Sequence, residues 1–235
     1  MRDEEKHSRN LDASSFEPSA LSPQPFPIAA ILLAAGRSRR MGAFKPLLPF
    51  GAQTVIETCI DNLRAAGVDE IVVVLGFRAA ELRSRLAHLP LRFAVNEQVE
   101  SEMGVSIARG VEGLSGGTGA ALIALGDQPA VTAQEIKNVM AAHRRTGARL
   151  VVPQWQGRGG HPVLVDLHYR DALLHLDARR GLRALFAAHA GEVLHLPVAS
   201  PYVARDLDTW EDYCALHDEI FHVPPPILQP PPRET

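Results

Sequence analysis

Ile28-Ala29-Ala30-Ile31-Leu32-Leu33-Ala34-Ala35-Gly36-Arg37-Ser38-Arg39-Arg40-Met41-Gly42-Ala43-Phe44-Lys45 runs an apolar segment into a turn of small residues, with two glycines and four basic side chains. The first six residues are apolar without alternation. That pattern reads as a strand buried on both faces, as in a parallel sheet covered by helices. The small residues that follow let backbone amides approach an anion. Arg37, Arg40 and Lys45 would supply the full charges that amides alone do not, so the turn is expected to bind phosphate. It has neither the GK[ST] ending of a Walker loop nor the GxGxxG of a dinucleotide fold, which removes the usual support for ATPase and Rossmann dehydrogenase readings. Arg39 is left out of the expected site.

Outward from this turn, short apolar runs alternate with helical patterns. Strands are expected at residues 28–33, 71–75, 121–125, 150–152, 162–165 and 193–196, and helices at 53–66, 79–86, 103–111, 132–146, 169–174, 181–190 and 209–217. Several of the helices are introduced by Thr or Asp suited to an N-cap. The expected fold class is α/β: three layers, α/β/α, around a doubly wound, mostly parallel sheet. Ligands of such sheets lie beyond the carboxyl ends of the strands, which directs attention to the loops after Leu33, Leu75 and Leu125. One domain, residues 28–220, is expected. A polar tail of residues 1–27 and a proline-rich tail of residues 221–235 are expected to be extended or disordered.

The chain has 235 residues, 46% hydrophobic and 22% charged, with a formal net charge of −3. That balance gives no reason to expect nucleic acid as a partner, so an anionic ligand must be held by a local cluster such as Arg37 to Lys45. The two cysteines, Cys59 and Cys214, are far apart and suggest neither a zinc site nor a disulfide framework; a reducing cytoplasm is expected. No apolar run approaches the ~18–20 residues of a membrane span, and no membrane partner is expected. The histidines form no HxH or HExxH arrangement, which argues against a histidine-held metal.

The pattern LAAGxxxRMGxxK at residues 33–45, followed by Gly126-Asp127-Gln128-Pro129, resembles the molybdenum cofactor cytidylyltransferase branch of the MobA-like NTP transferase family. Three further segments agree in order: Gly157-Arg158-Gly159-Gly160-His161-Pro162, the DARRGLR stretch ending at Arg183, and Arg205-Asp206-Leu207-Asp208-Thr209-Trp210. The resemblance runs from about Ile28 to about Leu216. It implies a nucleotide-diphospho-sugar-transferase-like version of the fold, and transfer of CMP from CTP to the terminal phosphate of a molybdenum-pterin cofactor with release of pyrophosphate. A molybdenum hydroxylase apoenzyme would then receive the product.

The resemblance also implies roles. Lys45, Arg40 and Asp127 would be catalytic, with Lys45 on the α-phosphate. Leu33, Ala34, Ala35, Gly36, Arg37, Lys45, Asn96, Ser106 and Gln128 would bind nucleotide, and Ala34-Ala35 with Gln128 go with cytidine in this family. Glu102 and Val105 stand where the family carries small polar residues. Asp127, at the end of a strand run, and Asp208 would hold Mg²⁺, which bridges phosphates and offsets the charge of departing pyrophosphate. Asp206, two residues earlier and on the same side of an extended stretch, is an alternative second ligand. On the acceptor side the candidates are His161 and Arg183, with Arg158 and Arg179 nearby in sequence. No general base is required, since a phosphate monoester with a second pKa near ~6 is already largely ionised. Two other readings share the fold: an NAD(P)H-dependent oxidoreductase, and a non-catalytic carrier that docks through its proline-rich tail.

Overall fold

The alternation of apolar strands and amphipathic helices becomes three layers in the computed structural model, which describes residues 26–98, 102–177 and 179–227. In chain order the elements begin with β1 (Ile28–Ala34), a short hairpin of β2 (Pro49–Phe50) and β3 (Gln53–Thr54), and α1 (Val55–Ala65). These are followed by β4 (Glu70–Leu75), α2 (Ala79–Leu86), β5 (Arg92–Val95), α3 (Met103–Glu112), β6 (Ala120–Leu125) and α4 (Ala133–Thr146). The second half has β7 (Leu150–Trp155), β8 (Arg158–Gly159), β9 (Val163–Asp166), α5 (Arg170–Leu174), α6 (Leu182–Ala188), β10 (Val193–Pro197) and α7 (Trp210–Phe221).

The main sheet runs in the order β10-β7-β9-β6-β1-β4-β5, with β8 paired to β7. β1 is central and parallel to both neighbours, so Leu33 stands beside Val74 of β4 and Leu125 of β6. From β1 the chain moves outward through β4 to β5 and then returns to β6 on the other side. The loops after β1 and β6 therefore leave the sheet edge side by side, at the reversal where ligands of such sheets bind. The sheet is mostly parallel as expected, but β9 is antiparallel to both β6 and β7. Its run Val163-Leu164-Val165 is buried like the parallel strands, so composition could not reveal its direction.

Side chains of β1 alternate between the two helical layers, as a period of two requires. Ile28, Ala30 and Leu32 join Ile56, Ile60 and Leu63 of α1 and Ile136 and Val139 of α4. Ala29 and Ile31 join Ile107 and Val111 of α3, Leu173 of α5, and Leu182 and Leu185 of α6. Glycine is required where α3 crosses β1, because a Cβ on Gly110 would lie 2.2 Å from Ile31 Cγ2. Three helices open with capping boxes: Thr54 with Glu57, Thr132 with Glu135 and Thr209 with Asp212. Each satisfies amides that the first turn leaves without partners.

β5 was not among the expected strands. It is an edge strand with partly exposed residues, and Arg92-Phe93-Ala94-Val95 lacks the apolar run of its neighbours. The expected helix over 53–66 begins at Val55, because Gln53 and Thr54 pair with β2. At the C-terminal side, α7 continues through Phe221, past the expected domain edge at residue 220. Phe221 packs edge-on to Phe50 at 4.9 Å, and the Val223 carbonyl faces His217 Nδ1 at 2.9 Å. Of the tails expected over residues 1–27 and 221–235, residues 1–25 and 228–235 lie outside the described residues. Among the described residues no helix is long and apolar enough to cross a membrane.

Candidate active site

At the sheet reversal the loops after β1 and β6 are tied together by Gly126 N donating to Leu33 O at 2.9 Å. A Cβ on Gly126 would lie 2.9 Å from both Leu33 O and Ile56 Cδ1, so only glycine allows this approach. The loop after β4 supports the arrangement from behind: Phe77 N donates to Ala35 O at 3.3 Å, and Phe77 stacks edge-on to Phe44 at 5.8 Å. It was expected to carry chemistry, yet none of its residues lines the cleft.

The cleft holds about 400 Å³. One wall is the turn after β1, with Leu33, Ala34, Ala35 and Gly36. Gly36 has ordinary backbone torsions, and a Cβ there would meet nothing within 4 Å, so the chain's own packing does not demand a glycine. The open space over its backbone is where an anion can approach the amides. Ser38, in a left-handed conformation at φ +52°, closes the turn by accepting Met41 N on its carbonyl and Lys45 N on Oγ, both at 3.1 Å.

Lys45 emerges from that closure with its side chain only 11% exposed. Its Nζ stands 3.1 Å from Asp127 Oδ2 and 3.4 Å from Asp208 Oδ1. Arg40, largely exposed, adds a contact of 3.1 Å from Nη2 to the same Asp208 oxygen. The two carboxylates are 81 positions apart in the chain and meet because Leu207, fully buried, plugs into a separate cluster with Met41, Ala43, Val55, Tyr213 and Leu216. With Leu207 inward, Asp206 and Asp208 both turn to the cleft. Thr209 caps α7, leaving Asp208 free for the cleft.

Burial pushes the Asp127 carboxyl above its ordinary range. Lys45 pulls it down, and the charges of Asp206 and Asp208 push it up again. The cleft thus gathers three acidic groups against two basic ones. Its donors are hard carboxylate oxygens suited to Mg²⁺ or a similar divalent cation. Among the described residues, no three His, Cys, Asp or Glu side chains form a ready-made metal cage.

Asn96, which also lines the cleft, follows β5. Its amide N donates to Leu75 O at 2.8 Å, its Nδ2 donates to Ser106 Oγ at 2.9 Å, and its Oδ1 accepts Gln98 N at 3.0 Å. Both Asn96 and Ser106 are buried and border the cleft, beside the half-exposed Met103 at the start of α3. Ser101 lies outside the described residues. Sequence reasoning assigned no role to Ser38, Pro46, Met103, Leu125 or Gly126, which also line the cleft. Gly126 and Leu125 were visible as neighbours of Asp127, whereas Ser38 carried no signal beyond lying in the turn.

Four expected site residues stand elsewhere. Arg37 lies with its guanidinium 5.2 Å over the Phe77 ring, outside the cleft wall. Gln128 is 6% exposed and points behind the cleft, donating from Nε2 to Asp206 Oδ1 at 2.7 Å. Arg183 is exposed near the start of α6 and is not part of the cleft wall. His161 is also off the wall. Its amide donates to Val203 O at 2.7 Å, and its Nδ1 lies 3.1 Å from Ile123 O, which can only accept, so Nδ1 carries the proton. Burial pushes the ring toward its neutral form, while the Ile123 carbonyl and the charges of Asp206 and Asp127 oppose this.

The model of the MobA-like NTP transferase domain family matches residues 30–193. Nicotine blue oxidoreductase of Paenarthrobacter nicotinovorans is 30% identical over 154 residues, which cover 62% of this chain and 74% of that protein. The chain spans only 27% of the bifunctional protein GlmU of Geobacter sulfurreducens, at 34% identity over 128 residues. Among solved structures, a nucleotidyl transferase from Methanothermobacter thermautotroptrophicus superposes with a TM-score of 0.73 at 25% identity, covering 85% of this chain and 99% of that one. Rv0371c of Mycobacterium tuberculosis, in complex with manganese, superposes with a TM-score of 0.70 at 25% identity over 82% of this chain and 98% of that one.

Proposed function

The chain belongs to the MobA-like NTP transferase domain family, and from that premise we propose that it transfers CMP from CTP to the terminal phosphate of a molybdenum-pterin cofactor, releasing pyrophosphate. Nucleotidyl transfer as the enzyme class follows from the family and from the structural likeness to a nucleotidyl transferase over nearly all of that chain. The observation that carries the proposal is the Lys45 ammonium between Asp127 and Asp208, facing a turn whose amides are open to an anion.

In this reading the amides of residues 34–36 bind the triphosphate, and Lys45 and Arg40 neutralise it. Asp127 and Asp208 hold a divalent cation, expected to be Mg²⁺; that the similar Rv0371c was solved in complex with manganese supports a divalent ion. When bound, the cation supplies charge stabilisation for the departing pyrophosphate. The acceptor phosphate arrives already ionised, so the protein's work is alignment and charge neutralisation, with Lys45 on the α-phosphate as negative charge builds there. Asn96 and Ser106 line the cleft and would meet the ribose or base. Cytidine rests on the Ala34-Ala35 pair, which goes with that base in the family pattern. The product would pass to a molybdenum hydroxylase apoenzyme.

A second reading draws on the 30% identity to nicotine blue oxidoreductase over 74% of that protein. In it, the same cleft serves an NAD(P)H-dependent reduction.

Pyrophosphate release measured with molybdenum-loaded pterin, Mg²⁺ and CTP, GTP or ATP separates the readings. CTP-selective release that disappears in Asp127→Ala supports the proposal. GTP preference would overturn the base alone. Absence of pyrophosphate with every nucleotide, together with NADPH oxidation, would establish the reductase reading.

A further inference from the structure

Gln128 directly follows Asp127, yet its side chain leaves the cleft and enters the protein. The amide is buried at 6% exposure, and its Nε2 donates to Asp206 Oδ1 at 2.7 Å and to Val203 O at 3.4 Å. The Val203 carbonyl also accepts His161 N at 2.7 Å. Gly160 presses so closely on it that a Cβ there would lie 2.1 Å from the oxygen. The segment leading to Asp206 is therefore pinned by backbone contacts, and the Gln128 amide extends the pinning to the carboxylate itself. Asp206 is exposed on the cleft side, where an unrestrained carboxylate would sample several rotamers.

We infer that Gln128 is a positioning residue for Asp206, holding that carboxylate so that its charge joins Asp127 in drawing the divalent cation, and that Gln128 does not read the nucleotide base. The inference rests on the nucleotidyl-transfer reading for the presence of the cation and is independent of the acceptor. A neutral donor of this length is suited to the task. It fixes one carboxylate oxygen without cancelling the charge, as an Arg or Lys would. Partners that orient charged groups around a metal typically change its affinity by about 10–100-fold when removed.

The test is a titration of Mn²⁺, followed by electron paramagnetic resonance, in the presence of a non-hydrolysable CTP analogue. It compares the unsubstituted chain with Gln128→Met, Asp206→Asn and the double variant. Gln128→Met keeps the volume and loses the donor. It is expected to weaken Mn²⁺ binding by about 10-fold. Asp206→Asn, at an exposed position that leaves the core untouched, is expected to weaken it at least as much, and the double variant no further than Asp206→Asn alone. The affinity ratio for CTP and GTP analogues is expected to stay the same in Gln128→Met. Unchanged Mn²⁺ affinity in Gln128→Met, losses that multiply in the double variant, or a shifted CTP-to-GTP ratio would each overturn the inference. Failure of Mn²⁺ to bind the unsubstituted chain with any nucleotide overturns this inference and the cation-dependent reaction together. Intact Mn²⁺ binding without pyrophosphate release on pterin overturns only the acceptor.

Discussion

Replacing Lys45 with Met removes the ammonium that lies 3.1 Å from Asp127 and 3.4 Å from Asp208. At an effective dielectric near 20, each contact has a gross attraction of about 5 kcal/mol. Desolvation of the ions offsets most of that, and Asp208, more than a third exposed, is screened by water. A net value of roughly 1–3 kcal/mol for the partly buried pair with Asp127 follows. A divalent cation seeking both carboxylates alone must compete with that ammonium. Without nucleotide, Lys45→Met is therefore expected to bind Mn²⁺ about 5- to 150-fold more tightly than the unsubstituted chain, since 1.4 kcal/mol is tenfold.

Nucleotide reverses the sign. A triphosphate gives Lys45 a new counter-charge, so the ammonium no longer competes and instead stabilises the charge that develops in transfer. Loss of such a donor is expected to lower turnover by roughly 10²–10³. Burial and the neighbouring carboxylates already raise the Asp127 carboxyl, and losing Lys45 raises it further, so the two chains are compared over a series of pH values. Mn²⁺ affinity in the nucleotide-free Lys45→Met variant equal to or below that of the unsubstituted chain would refute the competition.

Glu57 joins α1 to α2 through two contacts with Arg85 and closes the Thr54 cap. Burial pushes its carboxyl up, but the bonds from Arg85 and Thr54 prevail and hold it at about 2. Its stabilisation is present above the unfolded value of 4.5 and is lost as pH falls from there toward 2. Glu57→Gln is accordingly expected to cost about 2 kcal/mol at pH 7, with the gap in melting temperature closing below pH 4.5. Gly160→Ala places a Cβ 2.1 Å from Val203 O and 2.5 Å from Val203 C, backbone atoms that no rotamer change can move. The expected cost is about 1–3 kcal/mol by thermal unfolding, with weaker Mn²⁺ binding because the segment carrying Asp206 must shift. An unchanged melting temperature would mean that this segment is looser than its contacts imply.

Most of the fold was legible because the strands nearest the site, β1, β4 and β6, are buried on both faces and therefore apolar throughout. β5 escaped because an edge strand needs only one covered side, and Arg92 on it is free to pair with Glu70 at the surface. The direction of β9 was illegible for a different reason. An antiparallel strand in the middle of a sheet has the same covered faces as a parallel one, and direction is decided by the length of the preceding connection. In the cleft, residues 33–36, Lys45, Asp127 and Asp208 were readable because charge and small size recur where a phosphate needs them. Gln128 was not, since the family pattern tied it to cytidine while the turn after β6 carries its amide to Asp206.

Leu207 explains why neither Asp206 nor Asp208 could be chosen from the sequence alone. In an extended stretch the residues on either side of a buried one share a face, and burial of Leu207 against Met41, Val55 and Tyr213 sends both carboxylates to the cleft together. What separates them is their partners: Asp208 meets the Lys45 and Arg40 cations, and Asp206 meets the neutral Gln128 amide. These are different electrostatic situations on one wall. Asp208 faces two cations until an anion draws them away, whereas Asp206 faces a neutral amide throughout. On the proposed reading, a site built this way is expected to attract a divalent cation weakly by itself and strongly once a triphosphate occupies Lys45 and Arg40, with metal and nucleotide favouring each other's binding. Because α7 carries Tyr213 and Leu216 into the cluster that seats Leu207, the last helix of the domain is as much a part of that coupling as the phosphate turn at its beginning.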